Sequence, residues 1–484
     1  MTVLMVVLGI IVLLVVVLLI GAVRVKPTPP KNPIPHSDAR GDDAAVERFR
    51  EMLRLPTVWG REDPNADHTP FDQFMPKMRQ LYPNLFNTAK LEMVNTYGIL
   101  LEWKGADDAA APVVLMAHYD VVAADPANWT HDPFAADIED GLIWARGAVD
   151  NKCLLAGLYE AANTLIGEGF VPARTIYLWS SNCEEDNGGT TPVLVDLLKE
   201  RDIHPLFVLD EGGAIIDNAP LGVKNNMAVI GVAEKGLFNA FITVSAAGGH
   251  ASTPSLDDST AKLVAGLDNL QKNPPAAKLS PALDAMLREL AAHSTFAYKM
   301  VFGNMWLFRP IVKKILKSNH ETAAMVRTTY ALTELEGASA ANIIPKQAKA
   351  AVNVRIDPAE NVQVASNRIR QCFMGDIDMT LRDAIDPSPI SPFDDEVFDY
   401  LRAVTQSVYP DTGVTPYVQS SCTDSRHFSQ VFPRVYRFAG ILYKGDQRAR
   451  IHGQDECLDV ESFKQGVGFY IELMRNLDRL GDMK

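Results

Sequence analysis

Hydrophobic positions along the chain fall into three regimes. Residues Val3 to Val23 are apolar or Gly without interruption, and Arg24 and Lys26 follow. About 20 such residues cross a bilayer core of roughly 30 Å. The run exceeds the roughly 7–15-residue core of a signal peptide and lacks a basic flank before it, so residues 1–23 read as an uncleaved single-pass anchor. A long signal peptide is the alternative. Residues 24–41, with Pro27, Pro29, Pro30, Pro33 and Pro35, read as an extended spacer. From Asp42 the pattern becomes that of a folded domain. Helical spacing over Ala44–Leu55 stops before Pro56, and a second helix is expected over Phe71–Tyr82.

Strand-like and helical stretches then alternate. Gly98–Trp103, Pro112–Ala117, Arg174–Ser180 and Pro205–Leu209 are short apolar runs, and helical patterns cover Lys152–Ile166 and Thr191–Glu200. This spacing predicts an α/β fold with a mainly parallel sheet flanked by helices, in which ligands bind beyond the carboxyl ends of the strands. Near Gly236 the style changes. Alternation over Leu237–Val244, two or three helices between Asp258 and Arg327, and strands at Thr328–Leu335 and Lys349–Ile356 suggest an inserted α+β unit. A helix over Phe393–Val408, a strand at Val435–Phe438 and a long amphipathic helix over Glu461–Leu480 complete the chain. The expected division is anchor 1–23, linker 24–41, catalytic domain 42–236 and 358–484, and inserted domain 237–357.

Composition narrows the class. Apolar content of 47% and charged content of 22% are those of a folded enzyme. The formal charge of -14, with no basic stretch standing out against it, argues against a nucleic-acid partner. Five cysteines without a CxxC pair make a disulfide framework an unfavoured reading, although an isolated bridge stays open.

The chemistry lies where apolar runs end. His118 and Asp120, Asp150, the pair Glu184-Glu185, Asp210 and His452 each follow or close such a run or a Gly turn. Taken singly, each is an ordinary strand terminus, N-cap or loop residue. Together, two imidazoles and several carboxylates without thiolate are a catalytic donor set for zinc, and shared carboxylates suit two ions. His118 and Asp120, two apart on an extended segment, face the same side, which places Asp120 to orient the imidazole. Of the adjacent Glu184 and Glu185, one can bind metal while the other serves as general base.

In Ala117–Val122, Arg146–Asp150, Glu184-Glu185, Gly249–Ser252 and Thr423–His427 the chain resembles the zinc-dependent aminoacylase/carboxypeptidase family. Within it, these residues look most like the carboxypeptidase S and N-fatty-acyl-amino-acid amidase branch, over roughly Asp42 to Lys484. The resemblance implies two Zn2+ per chain, with His118 and Asp210 on one, Glu185 and His452 on the other, and Asp150 bridging. It makes Asp120 the residue that orients His118, Glu184 the general base and Asp150–Asn151 a candidate cis peptide. The inserted domain becomes a lid that also mediates homodimerisation, and His250 a stabiliser of the oxyanion in a neighbouring site. Asn342, Arg426 and, more weakly, Arg355 become substrate contacts; His427 is read as structural. The expected activity is hydrolysis of the amide between an acyl or peptidyl group and a terminal amino acid. A strict dipeptide carboxypeptidase is the near alternative, and a non-catalytic anchored binding protein the alternative of another class. Arg24 and Lys26 favour a cytoplasmic domain by the charge rule, whereas anchored hydrolases commonly face outward; an extracytoplasmic catalytic domain is the expectation.

Overall fold

The computed structural model describes residues 2–60, 67–186, 188–255 and 257–481. Its centre is a ten-stranded mixed sheet. Ile176–Ser181, Val113–His118, Phe207–Asp210 and Val435–Arg437 lie side by side in parallel. Gly98–Trp103 and Lys90–Val94 add an antiparallel edge. On the other side Met227–Glu234 runs antiparallel to Val435–Arg437 and parallel to Gly413–Gln419.

Side chains of the central strands alternate between two apolar layers, which explains their unbroken hydrophobicity. Val113, Leu115 and Ala117 join the larger core, where Lys152–Gly167 and Val460–Arg475 pack, while Val114 and Met116 join the layer beneath Thr190–Glu200. The first domain helix, Asp43–Leu53, starts where the Asp42 side chain accepts the Ala45 N–H at 2.8 Å. It buries Val46, Phe49 and Leu53.

The second unit is built on a four-stranded antiparallel sheet, Thr329–Glu336, Gln347–Ile356, Gly236–Ser245 and Asp378–Ile385. Its last strand and the helix Val362–Gln371 lie beyond residue 357, where the sequence pattern had placed the boundary. The intervening helices number five rather than two or three, and they divide between the units. Ser259–Lys272 packs on the second sheet through Leu263, Leu267 and Leu270. Pro281–Ala292 instead joins a cluster with Ala219 and Met227 of the main sheet region.

Thr2–Val23 is a single helix, long and apolar enough to cross a membrane. The Pro-rich segment after it is extended but docked, not free. Thr28 donates to Glu289, the Lys31 N–H to Asp399 at 2.8 Å, the Ser37 N–H to the Ser407 carbonyl at 2.9 Å and the Gly41 N–H to the Lys464 carbonyl at 2.8 Å. All five cysteines are free thiols.

One buried ion pair joins two strands of the main sheet where Met227–Glu234 leads into the second unit. Glu234 Oε1 accepts from Arg437 Nε at 3.1 Å and from the Thr423 N–H and hydroxyl at 3.0 and 2.6 Å. Arg437 is completed by the Val435 carbonyl and the Ser429 hydroxyl. Removing one member leaves the other charge buried without a partner. Glu234→Ala is therefore expected to cost about 3–5 kcal/mol, read as a lower denaturation midpoint at unchanged denaturant slope; a loss below about 1 kcal/mol would contradict the role given to this pair.

Candidate metal centre

Four of the five predicted ligands, His118, Asp150, Glu185 and His452, converge beyond the carboxyl ends of the parallel strands, where a doubly covered sheet leaves room for a ligand. His118 ends its strand, and Asp150 lies in the turn before Lys152–Gly167. Asp150 Oδ1 is 3.2 Å from His118 Nε2, and Asp150 Oδ2 is 3.0 Å from His452 Nε2. One carboxylate thus offers an oxygen to each imidazole. Glu185 Oε2 stands 2.9 Å from His452 Nε2. The Asp150–Asn151 peptide is cis. His452 has φ of 60°, a left-handed conformation that a non-glycine residue adopts at a cost and that recurs at functional sites.

Asp210 departs from the expected arrangement. Its Oδ2 accepts the Ser425 N–H at 2.9 Å, away from His118, and Glu211 takes the place foreseen for it. Glu211 Oε1 is 3.3 Å from His118 Nε2. Strand periodicity accounts for the exchange. Val208 faces the layer that holds Phe428, so Asp210, two residues on, faces the same layer and meets the short helix Ser425–Ser429. Leu209 and Glu211 point to the other side. That alternation was readable in Phe207–Asp210, and it would have selected Glu211.

Two further carboxylates hold the loops in place. Asp120, fully buried, accepts the N–H groups of Glu184 and Glu185 at 3.1 and 3.0 Å and lies 3.3 Å from His118 Nδ1. Glu456 accepts the N–H groups of Val149 and Asp150 at 2.7 and 3.0 Å. Arg146 binds Glu456 at 2.5 Å and the Gly453 carbonyl at 2.8 Å, joining the Asp150 turn to the His452 turn. The Arg146–Glu456 pair escaped the sequence reading because its members are 310 residues apart.

Arg426 lies beside Glu184 at the edge of the cluster. It is buried, with Nη1 3.9 Å from Glu184 Oε1. His250 and Asn342 share an exposed two-stranded ribbon of the second unit, where the Ala251 N–H donates to the Asn342 carbonyl at 3.0 Å. Neither touches the cluster. Arg355 lies in the second sheet and donates to Asn353. His427 lies in the helix Ser425–Ser429, and burial lowers its basicity.

The electrostatics are those of crowded acids. Burial raises Glu184 well above the carboxylate range, only partly opposed by His118, and pushes Glu211 up to about 8. Burial also opposes ionisation of Asp150, but hydrogen bonds from His118 and His452 outweigh it and hold the carboxyl low. Hydrogen bonds to Asp150 and then Glu185 lift His452 to about 10. Protons are thus drawn to positions between donor atoms that a cation can take.

The donor set fits divalent metal. Atoms of His118, Asp150 and Glu185 lie within 4.8 Å of one another, as do those of His118, Glu184 and Glu211. Two ligands about 2.1 Å from a shared tetrahedral ion are separated by roughly 3.4 Å, close to the spacings above.

Comparison with known proteins agrees with this fold. Residues 114–476 match the model of peptidase family M20/M25/M40, and the chain belongs to that family. A zebrafish (Danio rerio) relative, N-fatty-acyl-amino acid synthase/hydrolase PM20D1.1, is 34% identical over 92% of this chain and 88% of its own. Carboxypeptidase S of Saccharomyces cerevisiae is 27% identical over 90% and 84%. Among solved structures, the M20 metallo-carboxypeptidase Sso-CP2 of Sulfolobus solfataricus aligns with a TM-score of 0.63 at 18% identity, over 90% of this chain and 99% of its own. The Bacillus subtilis YXEP protein, described as a dinuclear metal-binding M20 peptidase, aligns at 0.55 and 14%, over 89% and 98%. The protein is an enzyme of the metallopeptidase/amidohydrolase class.

Because Asp120 holds both the Glu184–Glu185 turn and His118, Asp120→Ala should weaken metal binding by about 10–100-fold while leaving far-UV circular dichroism unchanged. Metal titration of the stripped variant checks this; undiminished affinity would show that other contacts hold the turn.

Proposed function

We propose that the chain is a two-zinc N-acyl-amino-acid hydrolase, cleaving the amide between an acyl group and the nitrogen of an amino acid. The observation that carries this reading is the Asp150 carboxylate, with one oxygen toward each of two imidazoles. In this assignment His118 and Glu211 hold one ion, Glu185 and His452 the other, and Asp150 is shared. Bound zinc supplies Lewis acidity and lowers the pKa of water to near 7.

The chain's own residues divide the remaining work. Glu184 lies within 4.8 Å of donor atoms of His118 and Glu211, and burial makes it a stronger base than an exposed glutamate. It takes the proton of the attacking water and returns it to the leaving amine nitrogen. Asp120 fixes the backbone that carries Glu184 and orients His118. Arg426, beside Glu184, provides a guanidinium fork for the carboxylate of the amino-acid product. His250 and Asn342 on their exposed ribbon are assigned to the substrate's other side, reached when the second unit or a second copy approaches.

The choice of an acyl-amino acid over a dipeptide is supported by the relative at 34% identity across nearly the whole chain, whose name states that substrate class. A cavity of about 280 Å³ beside the base-bearing turn, walled by Trp59, Tyr97 and Thr190, suits an apolar group.

Two outcomes are expected. Glu184→Gln should lower kcat by about 10²–10⁴-fold with the metal content of the wild type, measured by elemental analysis; normal turnover in that variant rejects the mechanism. Compared at equal concentration, a long-chain N-acyl amino acid should give a higher kcat/KM than an N-blocked dipeptide sharing its terminal residue. The reverse order makes the enzyme a dipeptide carboxypeptidase.

A further inference from the structure

The helices Phe296–Phe302 and Met305–Leu316 carry an apolar surface that the main fold does not cover. Met305–Leu316 buries Val312 and Leu316 against the cluster containing Leu283 and Leu287. Its other side presents Trp306, Leu307, Ile311 and Ile315; Trp306 is 65% exposed and Ile315 is 62% exposed. Leu307, Ile311 and Ile315 are spaced four apart, so they form one stripe. Phe296, at the start of the preceding helix, is half exposed.

This surface adjoins the N-terminal apolar helix. Asn304, between the two helices, donates from Nδ2 to the Leu18 carbonyl at 2.9 Å. Gly21 and Gly303 meet so closely that a Cβ on either would collide with the other segment. Ala22 is buried, and Val25 belongs to the same cluster as Phe302 and Val312. The docked segment after Val25 then holds the domain against the end of that helix.

Charge agrees with position. Residues 296–317 contain Lys299, Arg309, Lys313, Lys314 and Lys317 and no acidic residue, in a chain whose formal charge is -14. Of these five cations Arg309 is engaged, with Asp284. The local excess disappears in the sum over the chain, which is why it does not stand out there. A Trp at the edge of an apolar stripe flanked by lysines is the composition of a helix lying in the headgroup layer, and lysine stems reach from apolar surface to anionic headgroups.

We propose that the Phe296–Leu316 surface rests on the headgroup layer of an anionic lipid bilayer, beside the point where the Thr2–Val23 helix enters it. The occupant is lipid rather than a second copy, because the stripe is continuous with the last turn of a helix of membrane-crossing length and is bordered by lysines. The inference does not depend on the hydrolytic reading and can fail without it.

Six tryptophans make the test direct, since Trp59, Trp103, Trp129, Trp144 and Trp179 all lie in the main domain. The full chain is reconstituted into vesicles of phosphatidylcholine and phosphatidylglycerol, with an intact N-terminus verified by mass spectrometry. Phosphatidylcholine brominated near the headgroup end of its acyl chains should quench part of the tryptophan emission. Trp306→Phe should lose most of that quenched component. Ile311→Glu combined with Ile315→Glu should lose it too, with hydrolysis of a short-chain substrate in detergent unchanged. Three results would overturn the proposal. They are equal quenching in Trp306→Phe, a two-chain mass in detergent that the double Glu variant abolishes, and removal of residues 2–23 from the mature protein.

Discussion

The buried carboxylate of Asp120 is the joint from which the centre is built. Two consecutive N–H groups and one imidazole converge on it, so the turn after Ile176–Ser181 and the end of Val113–His118 cannot shift independently. Glu456 repeats the device on the opposite side, gathering the N–H groups of Val149 and Asp150 while Arg146 links it to the His452 turn. Both residues thereby position the ligand-bearing loops.

The carboxylates inside this frame are in the opposite situation. Asp150, Glu184, Glu185 and Glu211 face His118 and His452 with few donors of their own. Burial in this poorly solvated site is the main cause that raises Glu184, Glu185 and Glu211, and the neighbouring carboxylates add to it. With both imidazoles neutral, as metal ligands are, the four carboxylates carry a charge that two divalent ions would cancel and one would not. This balance supports the proposed pair of ions independently of the spacing of the donor atoms.

Much of this frame was legible in the residues, and the limits of reading have physical causes. Fully buried strands are short and apolar without alternation, so Val113–His118 and Ile176–Ser181 announce themselves, and the polar residues that end them stand out. The exchange of Asp210 for Glu211 arose because adjacent acids at a strand end differ only in which layer they face. The boundary of the second unit was obscured for another reason. Asp378–Ile385 pairs with Gly236–Ser245 from more than a hundred residues away, and pairing partners leave no mark on either segment. The docking of the Pro-rich segment depends on acceptors such as Asp399 and Ser407 that are still more distant in sequence. Local pattern reports burial and period; it does not report which distant surface supplies the burial.

The division of the inserted helices matters for how the parts can act together. Ser259–Lys272 shares a core with the second sheet, whereas Pro281–Leu316 shares one with Met227 and Val25. The ribbon bearing His250 and Asn342 is therefore packed with one body, and the lysine-bordered surface beside the N-terminal helix with the other. The strand that connects them is locked on the main side by Glu234 and Arg437, next to Thr423 and Arg426. Displacement of the ribbon toward the metal centre can then occur beyond Glu234, without pulling on the residues that face the bilayer in our proposal. With both proposals taken together, the centre would keep a fixed height above the membrane while the unit bearing His250 and Asn342 moved relative to it.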